Sequence, residues 1–230
     1  YEEYPGSITD VSQLTFMVDK VIEYRYKKIG FILDRGYFSK ENIRYMDAND
    51  YSFIIMVKGC KALVSSIVLD KMNTFESKRE CAIRAYRVYG TTVMHRLYED
   101  DTKDRYFHIY YNPAKQAAER EQLETRIERY GQFLKSREGK EEKFGPAYQH
   151  YFRLHYDRDG RFLGADERTD VIEQELNLCG YFCIITSEKM TASQALIRYK
   201  GRDISEKLFR SDKTFIGSRS ERTPSASSMS

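Results

Sequence analysis

The chain has no tryptophan, only four cysteines and four histidines, and no long apolar run, and each scarcity removes a class of protein. Without about 18 consecutive apolar residues there is no candidate membrane helix, and no signal-like segment is present. Cys60, Cys81, Cys179 and Cys183 include no CxxC pair and no histidine at ligand spacing, which excludes a zinc site. Their spacing gives no disulfide framework either, so reduced, cytosolic thiols are expected. His95, His108, His150 and His155 stand in no triad order with Ser39, so hydrolase chemistry of that kind is not indicated. No glycine-rich phosphate loop and no internal repeat occur.

What is present is a core-forming fraction of 41% hydrophobic residues, 32% charged residues and a net charge of +3. That charge is too small to argue for nucleic acid by itself. Nineteen tyrosines suit phosphate and base contacts, and equally suit strands. The chain opens on Tyr1, in what reads as the tail of a strand, and closes on GSRSERTPSASSMS. The closing stretch, 217–230, is expected to be disordered. Both ends are expected to be cut from, or shifted out of, a longer protein.

Thr9 or Asp10 caps an expected helix to about Tyr26, with Leu14, Met17, Val18, Val21 and Ile22 as its apolar stripe. Lys28–Leu33 and Tyr51–Val57 are short continuous apolar runs of strand length, suited to burial on both faces. Ser39 caps an expected helix over 40–49 between them, making a βαβ unit with parallel neighbouring strands. Asp34 then sits at the carboxyl end of a buried strand, where open α/β sheets place their chemistry. Residues 60–178 break the alternation. A helix is expected over Val68–Arg84, strands over Arg87–Leu97 and Arg105–Tyr111, and a long charged helix over 113–142 with the stripe Leu123, Ile127, Tyr130 and Leu134. That stripe serves packing or, alternatively, a dimer seam. Further strand or hairpin elements are expected over Phe144–Tyr156 and Arg161–Leu163, around a turn at Asp157–Gly160. Gly180–Thr186 reads as a returning buried strand. The expected organisation is a first core part over 1–59, an inserted α+β subdomain over 60–178, and a return to the core over 179–216.

After that strand comes Thr191-Ala-Ser-Gln194, a capping box that starts a helix near Ala192. Along it, Tyr199, Arg202, Glu206 and Lys213 fall within an arc of roughly 60° at about 100° per residue. Ile197, Gly201, Ile204, Leu208 and Phe215 lie opposite. The face carrying Tyr199 is therefore either a solvated charged face or a phosphate-handling site, with one carboxylate for a divalent ion and cations for a nucleic-acid backbone.

The spacing Tyr199-(2)-Arg202-(3)-Glu206-(6)-Lys213 resembles the Y-R-E-K signature of DDE transposases of bacterial and archaeal insertion sequences. LDRGYFSKENIRYM, residues 33–46, resembles that family's second motif, and Pro5–Asp10 its turn before a helix. The resemblance covers about 1–60 and 178–217. It implies an α/β fold with a partial ribonuclease-H-like core, lacking its first strands and interrupted by the large α+β insertion. It further implies metal-dependent cleavage and strand transfer at the ends of a mobile element. Asp34 is then the second acid and Glu206 the third, together holding part of a site for two Mg2+ (or Mn2+) ions. Tyr199, Arg202 and Lys213 are implied as contacts to DNA phosphates. Double-stranded DNA, a homodimer on that DNA, no membrane, and a cytoplasmic, nucleoid-associated place in a prokaryote follow as expectations. The family's first acid has no counterpart, since Asp10 and Asp19 lie too close to Asp34, so a fragment inactive alone is expected. The alternative is a non-catalytic DNA-binding or assembly fragment able to inhibit a full-length transposase. A nucleotide-binding α/β protein is disfavoured by the missing glycine-rich turn.

Overall fold

A computed structural model describes residues 30–57 and 61–201. The expected helix over 10–26, the residues Asp10 and Asp19, and the tail 217–230 lie outside the described residues. Two apolar runs come first, as β1 (Gly30–Leu33) and β2 (Ser52–Met56). They pair in parallel from Gly30 opposite Ser52 to Leu33 opposite Ile55. Between them lies α1 (Lys40–Ala48), whose N-cap Ser39 accepts a hydrogen bond from Asn42 N at 3.1 Å. The βαβ unit is thus formed as the sequence predicts.

β1 departs from expectation in burial. Leu33 is buried, but Ile32 on the other face is 39% exposed. The reason is position: β1 ends the sheet order among the described residues, whereas β2 is interior and buries Phe53, Ile54 and Ile55 in succession.

α2 (Lys61–Lys71) follows, ten residues and more short of the expected end at Arg84. Asn73 adopts a left-handed φ of 64° and stops the helix. The remaining stretch instead forms short 3₁₀ turns around β3 (Ala82–Ile83). β4 (Val88–Arg96) and β5 (Asp104–Tyr111) form where strands are expected, and they pair with each other antiparallel. The charged helix α3 runs over Pro113–Lys135, with Asn112 capping Lys115 N at 3.0 Å. It is shorter than the expected 113–142. Pro146, in the first helical turn after Gly145, begins a short helix α4 (Pro146–Tyr151) where a strand is expected from Phe144. β6 (Phe152–Tyr156) and β7 (Phe162–Glu167) then flank the predicted turn, in which Asp157 Oδ1 accepts from Asp159 N and Arg161 N. α5 (Thr169–Leu178), β8 (Tyr181–Thr186) and a helix over 192–201, α6, complete the described chain.

One mixed sheet has the order β1-β2-β8-β5-β4-β3, all pairs antiparallel except β1–β2. This redraws the expected insertion. β3, β4 and β5, placed within 60–178 by the sequence reading, are hydrogen-bonded members of the main sheet. The physical reason is β8: its two edges take β2 on one side and β5 on the other, from Tyr106 opposite Thr186 to Tyr111 opposite Tyr181. The separate unit is α3, α4, the β6–β7 hairpin and α5. Its own core is Leu123, Ile127, Leu134, Phe144, Phe152 and Phe162. The stripe on α3 is accordingly a packing face within the chain.

The main sheet has two unlike faces. One carries Leu33, Phe53, Ile55, Phe107, Ile109 and Ile185 under Ile43 and Met46 of α1 and Ile67 and Val68 of α2. The other carries Ile54, Tyr110 and Ile184 under Leu196 and Tyr199 of α6. Full burial of such a side chain contributes about 1.5–3 kcal/mol, so α6 is held by its inner face. The two units meet where β8 begins beside the N-terminal turn of α3. There Gly180 N donates to Glu119 Oε2 at 2.8 Å and Asn112 N donates to Gly180 O at 3.0 Å.

Candidate active site

Asp34 stands where β1 ends. Its Oδ1 accepts from Arg35 N at 2.7 Å, capping the short 3₁₀ turn Arg35–Tyr37. Tyr37 N donates back to Asp34 O at 3.0 Å, and buried Asn42 of α1 donates from Nδ2 to Tyr37 O at 2.8 Å. The carboxylate is therefore set on a braced turn between a strand end and a helix start, and it is exposed to solvent.

α6 brings a second predicted residue to it. The capping box forms as the sequence predicts: Gln194 N donates to Thr191 Oγ1 at 3.2 Å, and Thr191 N donates to Gln194 Oε1 at 2.9 Å. Ala192, Ala195, Leu196 and Tyr199 then point inward at helical spacing. Tyr199 is 3% exposed, and its hydroxyl donates to Asp34 Oδ1 at 3.5 Å across 165 residues of chain.

This reverses the expected faces of the helix. Ile197, read as part of the packed face, is 50% exposed, while the face with Tyr199 lies on the sheet. The small side chains decide it. Ala192 passes over β4 so closely that a Cβ on Gly90 would lie 3.0 Å from the Ala192 Cβ. At the same place Tyr110 donates its hydroxyl to Ala192 O at 2.8 Å, with its ring stacked 4.8 Å from Phe182. Burial holds the Tyr110 phenol above its ordinary value, so it remains a donor. Gly90 and Tyr110 set the height and start of the helix that delivers Tyr199. Sequence reasoning passed over both, because neither belongs to a motif.

The chain matches no protein-family model, no curated protein and no solved structure.

Of the predicted site residues, Asp34 and Tyr199 are thus brought together. Arg202, Glu206 and Lys213 lie outside the described residues. Among the described residues no three His, Cys, Asp or Glu side chains gather into a metal-ligand group. An exposed carboxylate at a strand end is a hard oxygen donor of the kind that suits Mg2+ or Mn2+. One carboxylate does not by itself complete such a site. Among the described residues no helix is long and apolar enough to cross a membrane.

A second buried polar group lies on the same sheet face, further across the sheet on β5. His108 of β5 is fully buried, its Nδ1 2.9 Å from Thr92 Oγ1 and its Nε2 3.0 Å from Thr186 Oγ1. Thr186 donates its own hydroxyl to Glu188 O at 2.7 Å, so it accepts from Nε2–H, and Thr92 donates to Nδ1. Burial lowers the His108 pKa to about 4, which keeps the ring neutral. The ring ties three strands together through two threonine hydroxyls, and among the described residues it bonds no carboxylate, so its role is structural.

Proposed function

We propose that this chain is part of a DDE-type transposase catalytic core, acting on double-stranded DNA at the ends of a mobile element. The observation that carries the reading is the Tyr199 hydroxyl at 3.5 Å from Asp34 Oδ1. It joins the segment resembling the family's second motif to the helix bearing Tyr199, the first residue of its Y-R-E-K signature, two stretches that a coincidental match has no reason to bring together. The parallel β1–β2 pair, with α1 between and Asp34 at the carboxyl end of β1, supports a ribonuclease-H-like arrangement.

In this reading Asp34 and Glu206 are two of three acids that hold Mg2+ or Mn2+. The bound ions supply activation of the attacking oxygen and stabilisation of the leaving one. Tyr199 orients Asp34 through its hydroxyl. Arg202 pairs with a DNA phosphate through its planar fork and Lys213 does so as a point charge. A homodimer on DNA and a nucleoid-associated place in a prokaryotic cytoplasm belong to the same proposal.

The test is Mn2+ titration followed by calorimetry, together with DNA binding by fluorescence anisotropy. Asp34→Asn and Glu206→Gln are each expected to weaken Mn2+ binding at least tenfold, while DNA affinity changes less than threefold. Arg202→Gln and Lys213→Gln are expected to weaken DNA binding and leave the metal unaffected. DNA binding with Mn2+ heat indifferent to both carboxylate variants would replace this reading with the non-catalytic DNA-binding or assembly fragment.

A further inference from the structure

A cleft of about 360 Å³ opens beside the carboxyl ends of β1 and β2, the end of the sheet that carries Asp34. Val64 and Val68 of α2 and Leu178 at the end of α5 give it aliphatic walls, and Arg35, Lys115 and Glu119 give it a polar rim. Arg35 directly follows Asp34 and belongs to the same braced turn. It is exposed, and its guanidinium makes no hydrogen bond or ion pair among the described residues. Lys115 is held differently. Its Nζ lies 2.7 Å from Glu119 Oε1 and donates to Tyr181 O at 3.2 Å. Glu119 gives its other oxygen to Gly180 N.

The rim therefore sets two cations against one carboxylate, over partly aliphatic walls. A charge beside a low-dielectric wall is felt further than one in open solvent, which draws anions to such a cleft. Arg35 carries the larger share, since Glu119 already offsets much of Lys115. The guanidinium fork also matches the geometry of a phosphate.

We infer that Arg35 and Lys115 form a second phosphate seat, and that the DNA strand leaving Asp34 runs along this cleft. The inference rests on the DNA reading above. It adds contacts from outside the stretch Tyr199–Lys213, on the sheet face opposite α6.

The test measures affinity of the full 230-residue chain for a 20-base-pair duplex of arbitrary sequence between about 50 and 200 mM NaCl. Each phosphate neutralised contributes about −0.9 to the slope of log affinity against log salt. Arg35→Gln is expected to weaken binding and to flatten the slope by about 0.9, equivalent to about 3.5-fold less loss of affinity over that salt range. Glu119→Gln keeps an acceptor for Gly180 N and removes the charge beside Lys115. It is expected to tighten binding and steepen the slope, a direction that damage to the fold does not produce. If both variants keep the wild-type slope while the wild type binds, the cleft is overturned and the DNA reading stands. If the wild type does not bind the duplex, the DNA reading falls and the cleft with it.

Discussion

His108 makes the fold sensitive to acid in a way that can be measured. In the folded chain its pKa is lowered to about 4 by burial, against an ordinary 6.5 once unfolding exposes it. The unfolded chain therefore takes up the proton first. Stability is fully present above about pH 6.5, falls as pH drops through the interval to about 4, and levels off below that. The gap of about 2.5 pKa units, at about 1.36 kcal/mol each, is a total of about 3 kcal/mol. At pH 5 about 2 kcal/mol of it is already lost, a substantial part of the 5–15 kcal/mol typical of a folded domain. The loss is a cost of burying charge. Both threonine hydroxyls can turn to accept from an imidazolium, so the hydrogen bonds to Thr92 and Thr186 survive protonation.

The assay is urea unfolding at pH 7.5 and pH 5.0, for wild type and His108→Gln. Glutamine can donate to Thr186 but leaves the Thr92 hydroxyl without its acceptor, so the variant is expected to be about 1–2 kcal/mol less stable at pH 7.5. It does not titrate, so its further loss on going to pH 5.0 is expected to be about 2 kcal/mol smaller than that of wild type. Comparing the two losses cancels the other histidines, which both chains share. Equal losses in the two chains would refute the reasoning and mean that His108 reaches water or a counter-charge in the folded state.

Two further substitutions probe the joints of the fold. Gly180 has φ +87°, and a Cβ there would lie 2.6 Å from the Gln116 Cβ, so Gly180→Ala adds left-handed strain to a clash with α3. The expected cost is about 2–4 kcal/mol by urea unfolding, and a change under about 0.5 kcal/mol would show that α3 yields freely at this contact. Arg105 is buried beneath Phe53, with its guanidinium bonded to Asp47 at the end of α1. Asp47→Ala strands that charge and is expected to cost about 3–5 kcal/mol, with Asp47→Ala/Arg105→Met recovering most of it; no recovery would contradict the pairing.

What the sequence made legible is what is local. Ser39 and the pair Thr191 and Gln194 announce helix starts because a cap is a contact over three residues. The β1–α1–β2 unit was legible because its two apolar runs flank a capped helix of ordinary length. The strand pairing that shapes the sheet was not. Nothing near His108 in sequence says that it will lie opposite Ile184, so β4 and β5 read as part of an insertion. The helix expected to continue to Arg84 failed for a local reason that was easy to overlook, a left-handed Asn73.

The inverted faces of α6 carry the most weight for the site. Hydrophobicity assigned the packed side to the line of Ile197, Gly201, Ile204, Leu208 and Phe215, of which Ile197 and Gly201 are described. Close packing favours the line of Ala192 and Ala195 instead. Alanine at 192 lets the helix come down to Gly90 and Tyr110, which isoleucine would prevent, and Ala195 is fully buried one turn on. That approach lays Tyr199 on the sheet and brings its hydroxyl to Asp34. The tyrosine that looked like a surface contact is thus a buried link between two motifs. A solvated charged face accounts for Tyr199 no longer, because a side chain 3% exposed is not on such a face.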